Sequence, residues 1–260
     1  MSENMKMLTF LRYIKDFLKH QEYRFIFIAI RYWILGRPQK EDLMYRSSLG
    51  TFLTRKGTQD FMFANYAYEW NVKRFILKHH QKFNIFIDIG TNIGTYSFLL
   101  ARKGLKCFAF EPVKENYEAL LINIQINNMQ ASIQPFNFGL GDRDYNADFI
   151  YDPVNTGASH LAHNGDKGIH EQCYLRSFDS VYPSLNLLKE DRIFVKMDVE
   201  CMEIEVLNGA RKFLTEFPNV FLIMESIHSG EMAIKNALLK NGDFEFYKVD
   251  HFNFASKKHI

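Results

Sequence analysis

A chain of 260 residues that is 47% hydrophobic and 24% charged has the apolar material for a packed core, which excludes a disordered protein. A net charge of only +2 argues against a nucleic-acid partner. Three widely spaced cysteines, Cys107, Cys173 and Cys201, make neither a disulfide framework nor a metal-ligand pattern, and point to a reducing, cytoplasmic setting.

The charge is unevenly placed. Residues 1–40 carry eight lysines and arginines against three acids, a local balance of +5 that leaves −3 for the remainder. Phe10, Leu11, Ile14, Phe17 and Leu18 fall on one helical face. The apolar run over 25–35 follows, too short and too interrupted by Arg31 to span a bilayer. Asp16 and Glu22 ahead of it, with no small-residue cleavage site behind, set it apart from a signal peptide. Two readings stand. Residues 1–40 are a basic amphipathic foot that holds the protein peripherally at a membrane surface, or they are helices packed on the catalytic domain or on a second copy in a homodimer. Gly36-Arg-Pro38 breaks the helical pattern, so we expect a helical extension over 1–50 and one domain over 51–260. Residues 51–60 read as turn-rich, and residues 68–79 as a helix.

Phe86-Ile-Asp-Ile-Gly-Thr-Asn-Ile-Gly-Thr-Tyr-Ser97 then reads as a buried strand, a tight turn and a helix start. Gly90 and Gly94, with Thr91 and Asn92 between them, let a ligand approach the backbone where a Cβ would block it. Free N–H groups at the helix start suit a carboxylate or phosphate. Asp88 at the strand end suits a cationic amine, and S-adenosyl-L-methionine (SAM) carries both charges on its amino-acid tail. The spacing is not G-x-G-x-x-G, which argues against a dehydrogenase. A second strand ends at Glu111, where nucleotide-binding α/β folds place an acid against ribose hydroxyls.

Helix and strand patterns keep alternating, over 115–128, 132–137, 193–197 and 220–224, and predict an α/β fold with a mostly parallel sheet. Ligands bind such sheets beyond the carboxyl ends of the strands, where Asp88, Glu111 and Asn137 all fall. Residues 143–192 interrupt the rhythm as an inserted loop or hairpin, with strands over 147–151 and 172–178. The polar stretch between them reads as a lid or as a plain surface loop, with Asn155–Ser159, His160 and His163 as polar groups for a substrate. Asp198, Glu200, Glu225 and His228 fall at neighbouring strand ends. His228 titrates near neutrality and suits the general base for a hydroxyl acceptor, with Asp198 the alternative. The three acids are also hard-cation ligands by type, but no dedicated ligand spacing is visible and no obligatory metal is expected. Patterns over 244–249 and 252–255 predict a closing antiparallel hairpin.

Asp88–Ser97, Phe110-Glu-Pro112 with Asn116, Asn123 and Asn127 behind it, Arg176-Ser-Phe-Asp179, Val195–Glu200 with Glu203, and Leu207-Asn-Gly-Ala210 resemble, in this order, FkbM-type methyltransferases over about residues 60–230. The resemblance implies a class I (Rossmann-like) methyltransferase fold, SAM as cofactor, and O-methylation of a hydroxyl on a carbohydrate, glycolipid or related natural-product acceptor. A non-catalytic binding subunit of a glycan-assembly complex is the alternative. The sequence departs from the family at Cys201, where glycine usually follows Asp-Val-Glu. A glycine chosen there for positive φ would leave Cys201 to adopt that conformation.

Overall fold

The computed structural model describes residues 3–163, 166 and 168–258. Two helices open it, α1 (Glu3–Lys19) and α2 (Tyr23–Leu35). Phe17 meets Phe25 and Phe10 meets Trp33, so they run back along each other. Tyr13, Phe17, Phe25 and Ala29 on their inner faces join the main core. Strands β1 (Leu43–Arg46) and β2 (Thr51–Thr54) pair antiparallel. A boundary at residue 50 therefore cuts a hairpin, and the extension is not purely helical. The segment expected to be turn-rich supplies β2 and the first residue of α3 (Asp60–Phe63). Short-range pattern misses this because the partner is distant: the Leu53 and Thr51 amides donate to the side-chain carbonyls of Asn123 (2.8 Å) and Asn127 (2.9 Å).

From α4 (Trp70–His79) the alternation runs as expected through β3 (Ile85–Ile89), α5 (Thr95–Ala101), β4 (Lys106–Phe110), α6 (Lys114–Ile126) and β5 (Ile133–Phe136). A second sheet interrupts it, built of β6 (Gly139–Gly141), β7 (Tyr145–Tyr151), β8 (His160–Leu161) and β9 (Ile169–Ser177) in the order β6-β9-β7-β8. The chain then passes through α7 (Phe178–Val181), β10 (Ile193–Met197), α8 (Glu203–Asn208), α9 (Arg211–Glu216), β11 (Val220–Glu225) and α10 (Glu231–Leu239), and closes with β12 (Phe244–Lys248) and β13 (Asn253–Lys258).

The central sheet has the order β12-β13-β11-β10-β3-β4-β5. Strands β5, β4, β3, β10 and β11 are parallel, and β13 inserts antiparallel between β11 and β12. This is the class I methyltransferase sheet. Both of its faces are covered, so the parallel strands are mostly apolar, with Asp88 in β3 and Lys196 in β10 as buried exceptions, and alternate residues serve opposite layers. Phe86, Cys107 and Phe194 join the layer of α1, α2, α4, α5 and α6, while Ile87, Phe108 and Val195 join that of α7 to α10. Register aligns the strand ends: Ile89 pairs with Phe110 and with Met197, which pairs with Met224. Gly90, Glu111, Asp198 and Glu225 consequently emerge along one edge.

Candidate active site

The turn after β3 is held by its own acid. Asp88 is 1% exposed, and its Oδ2 accepts from the Thr91 hydroxyl (2.8 Å), the Ser97 amide (3.1 Å) and the Ser97 hydroxyl (2.7 Å). The carboxylate expected to meet a cofactor amine thus ties the turn to the start of α5, and it takes up a helix-start amide expected to serve an anion. Gly90 (φ +80°) and Gly94 (φ +96°) answer first to protein atoms. A Cβ on Gly90 would lie 1.8 Å from the Asp198 carbonyl oxygen, and one on Gly94 2.6 Å from Leu120 Cδ1. Between them Asn92 takes φ +49°, and its buried Oδ1 has no hydrogen-bond partner.

Glu111 is 4% exposed. Its Oε2 accepts from the Asn92 amide (2.8 Å), and Oε1 from the Val113 amide (3.1 Å) and the Asn116 side chain (3.3 Å). Burial outweighs these donors and pushes the carboxyl up to about 7. Glu111 and Asn92 face a cleft of about 510 Å³. Asn137, expected among the cofactor ligands, is not one of its lining residues. Its side-chain amide donates to the backbone carbonyls of Glu111 (3.0 Å) and Pro112 (3.3 Å), so its role is to shape the connection after β4.

The far wall is braced from behind by Arg55 and Asp60, which local pattern does not single out. Arg55 pairs with the fully buried Asp60 at 2.7 Å and donates to Asn116 Oδ1 at 3.0 Å. Thr156 donates its hydroxyl to Asp60 (3.2 Å), while its carbonyl accepts from the Asn116 side chain (2.9 Å). The polar stretch after β7 is therefore fastened over the cleft by Thr156, and Gly157 and Ser159 line it. His160 instead pairs with Asp166 at 3.5 Å, and His163 is exposed.

A second cleft, of about 640 Å³, shares Gly90, Asn92, Gly157, Asp198 and Glu200 with the first. Lys196, 5% exposed, reaches it with Nζ 2.6 Å from Asp198 Oδ2 and 4.6 Å from the centre of the Tyr96 ring. Burial works against the Lys196 ammonium, but the charges of Asp198, Glu69 and Asp88 prevail and raise its pKa. Burial alone would raise Asp198; Lys196 reverses this and holds it below the usual carboxylate range. Glu225, buried against the charge of Asp198, is pushed up to about 9 and keeps its proton at neutral pH. Across the cleft Glu69 accepts the Tyr96 hydroxyl at 2.6 Å.

Of the two residues expected to be catalytic, Asp198 lines both clefts. His228 lines neither; its Nε2 lies 3.2 Å from Glu200 Oε2, and it reaches the site through that carboxylate. Burial, then the charges of Asp198 and Glu203, push Glu200 up to about 7. Asp198, Glu200 and Glu225 each place one oxygen within 4.8 Å of the others, a spacing open to a hard cation. The Lys196 ammonium already supplies a cation to this cluster.

Glu200 (φ +44°) and Cys201 (φ +78°) both lie in the left-handed region. The glycine that Cys201 replaces in the resembling family is thus explained. Restoring it, Cys201→Gly, is expected to relieve about 1 kcal/mol of strain and to raise Tm by about 2–4 °C in a thermal melt. An unchanged or lowered Tm would contradict this.

The fit to SAM is local and chemical. Glu111 and the unpartnered Asn92 Oδ1 are acceptors for hydroxyl or ammonium donors, and the carboxylates along the shared wall suit a sulfonium cation. Over 163 residues the chain is 28% identical to the hexuronic acid methyltransferase AglP of Haloferax volcanii, spanning 62% of this chain and 63% of that protein. The methyltransferase FkbM of Methylobacillus flagellatus KT superposes with a TM-score of 0.48 at 16% identity, over 76% of this chain and 53% of its own. A SAM-dependent methyltransferase of Agrobacterium tumefaciens superposes at 0.45 with 9% identity, over 84% and 70%. The fold itself is read from the strand order above. The family described as Vibrio cholerae RfbT protein matches residues 39–258, the whole central sheet and every residue lining the two clefts, and this chain belongs to that family.

Proposed function

We propose that this chain is a SAM-dependent methyltransferase that methylates a hydroxyl group of a carbohydrate acceptor. The observation that carries the reading is the shared wall: Gly90, Asn92, Gly157, Asp198 and Glu200 belong to both clefts, so a cofactor in one meets an acceptor in the other. The relative named as a hexuronic acid methyltransferase favours a sugar, and a wall of carboxylates, lysine and asparagine suits a polyhydroxylated ligand.

SAM supplies an electrophilic methyl group on a good leaving group. The protein's share is positioning and proton transfer. Glu111 and Asn92 accept hydrogen bonds from the cofactor. Glu200 accepts the acceptor's hydroxyl proton, and His228 orients Glu200. Lys196, fixed by Asp198, donates to acceptor oxygens.

Calorimetric titration with SAM and S-adenosylhomocysteine tests the first half. Glu111→Gln is expected to weaken both about 10- to 30-fold, by loss of a charged acceptor. Because Glu111 titrates near 7, wild-type affinity should also fall as pH drops below 7, where a proton occupies the oxygen the ligand needs. Methyl-labelled SAM offered with a panel of neutral sugars and hexuronic acids tests the second half. No heat with either cofactor form would sink the reading; transfer to a non-carbohydrate acceptor alone would leave methyl transfer and remove the sugar.

A further inference from the structure

The outer face of the N-terminal helix pair is unpartnered. On α2 the buried residues Phe25 and Ala29 face inward, and Tyr23, Phe27, Ile30 and Ile34 make a stripe on the opposite side of the helix. Phe27 and Ile34 are each 74% exposed. On α1, Tyr13 and Phe17 face inward, while Leu8, Leu11, Lys15 and Leu18 face out. Since both helices lie on the core by their inner sides, the two stripes form one apolar surface turned away from the domain.

The exposed charges described on the two helices have one sign. Among the described side chains up to residue 40, the only acids are Asp16 and Glu22, at 6% and 7% exposure. Asp16 accepts from the Tyr45 hydroxyl (2.8 Å) and the Ser48 hydroxyl (2.6 Å), and Glu22 from the Arg46 amide (3.0 Å). With the acids turned inward, Lys15, Lys19, Arg37 and Lys40 present exposed positive charge beside the stripes, while Arg24 is paired with Glu22 at 3.5 Å. A second copy seated on this face would bring cations against cations. An anionic lipid surface complements both the apolar stripe and the charge. No helix among the described residues is long and apolar enough to cross a membrane, so the contact is a peripheral one.

We infer that the outer face of α1 and α2 docks on an anionic membrane surface. Cosedimentation of the full chain with phosphatidylglycerol-containing vesicles tests this against pure phosphatidylcholine vesicles, with sedimentation velocity run on the protein alone. The expected result is binding to anionic vesicles only, reduced in high salt, and weakened at least about tenfold by Phe27→Glu with Ile34→Glu. Charge reversal by Lys15→Glu, Arg37→Glu and Lys40→Glu leaves the stripe intact and should weaken binding as well. Calorimetric SAM binding verifies that each variant is folded. Binding that neither variant alters, or no binding at all, would overturn the inference. So would a dimer that the Phe27 and Ile34 changes convert to monomer, since that assigns the face to a second copy.

Discussion

Glu200→Gln is expected to lower kcat for methyl transfer by roughly 10²- to 10⁴-fold while weakening SAM binding far less. The size follows from the role: glutamine keeps the shape and loses the ability to take a proton in the transition state. Glu200 stands out because burial and its neighbours Asp198 and Glu203 have pushed it up to about 7, the range of a base that works at neutral pH. In wild type, kcat/KM for the acceptor should fall as pH drops below this value, and a bound sulfonium should move the limb to lower pH by favouring the charged carboxylate. His228→Gln should cost only about tenfold, because it disturbs the orientation of Glu200 and leaves the carboxylate in place. Stability runs the other way. An acid whose folded pKa lies above its ordinary 4.5 penalises folding once pH exceeds 4.5, and the penalty is complete above about 7. Glu200→Gln should therefore melt higher than wild type at pH 8 and no higher at pH 4. Unchanged kcat would move the base elsewhere, first to Asp198.

The parts of this site that are local in sequence were legible, and those built by distant contacts were not. The turn of Asp88 to Gly94 and the acid ending β4 show themselves because strand, turn and helix start must follow one another within a few residues. Their electrostatic roles still shifted: Asp88 proved to be consumed by Thr91 and Ser97, since a carboxylate with buried hydroxyls so near finds them before any ligand. Asn137 sat at the correct sheet edge, but edge position does not say where a side-chain amide is spent. Glu69 lies ahead of α4 with no motif around it, and its place opposite Lys196 follows from helix packing alone. The same holds for Arg55 and Asp60, whose grip on Asn116 and Thr156 crosses three separate chain segments. Asn116 and Asn123 of α6 and Asn127 just past its end were visible as a motif; their work, fastening β2 and the cofactor wall, needed the fold.

Lys196→Met is expected to destabilise the protein by about 3–5 kcal/mol, the range for removing one partner of a buried ion pair, or on the order of 10 °C in Tm for a domain of this size. Two lysines in the same region make the reason plain. Lys73 is fully buried beneath Tyr68 and Tyr96, and burial lowers it to about 7 against the opposing charge of Glu69, with no carboxylate among the described residues in ion-pair contact. Lys196 is almost as buried, yet Asp198 at 2.6 Å reverses the sign and its pKa rises. The Lys196 ammonium lies among the carboxyl groups of Asp198, Glu69, Glu200 and Glu225 that line the cleft. Asp198, depressed in the folded state, contributes stability above its unfolded pKa and loses it as pH falls through the folded one. Lys196, raised in the folded state, contributes below 10.5 and loses it as pH climbs through its folded value. Without the ammonium, Asp198, whose side chain is 24% exposed, becomes a partly buried, uncompensated charge and its pKa rises, so the deficit of Lys196→Met should be largest near pH 8 and shrink toward acid. Adding Asp198→Asn removes that stranded charge and should recover a large part of the loss, giving a coupling well beyond additivity. If Lys196→Met melts within about 2 °C of wild type and Asp198→Asn rescues nothing, the pair does not hold the cleft together, and the lysine's place there is explained by contact with the acceptor alone.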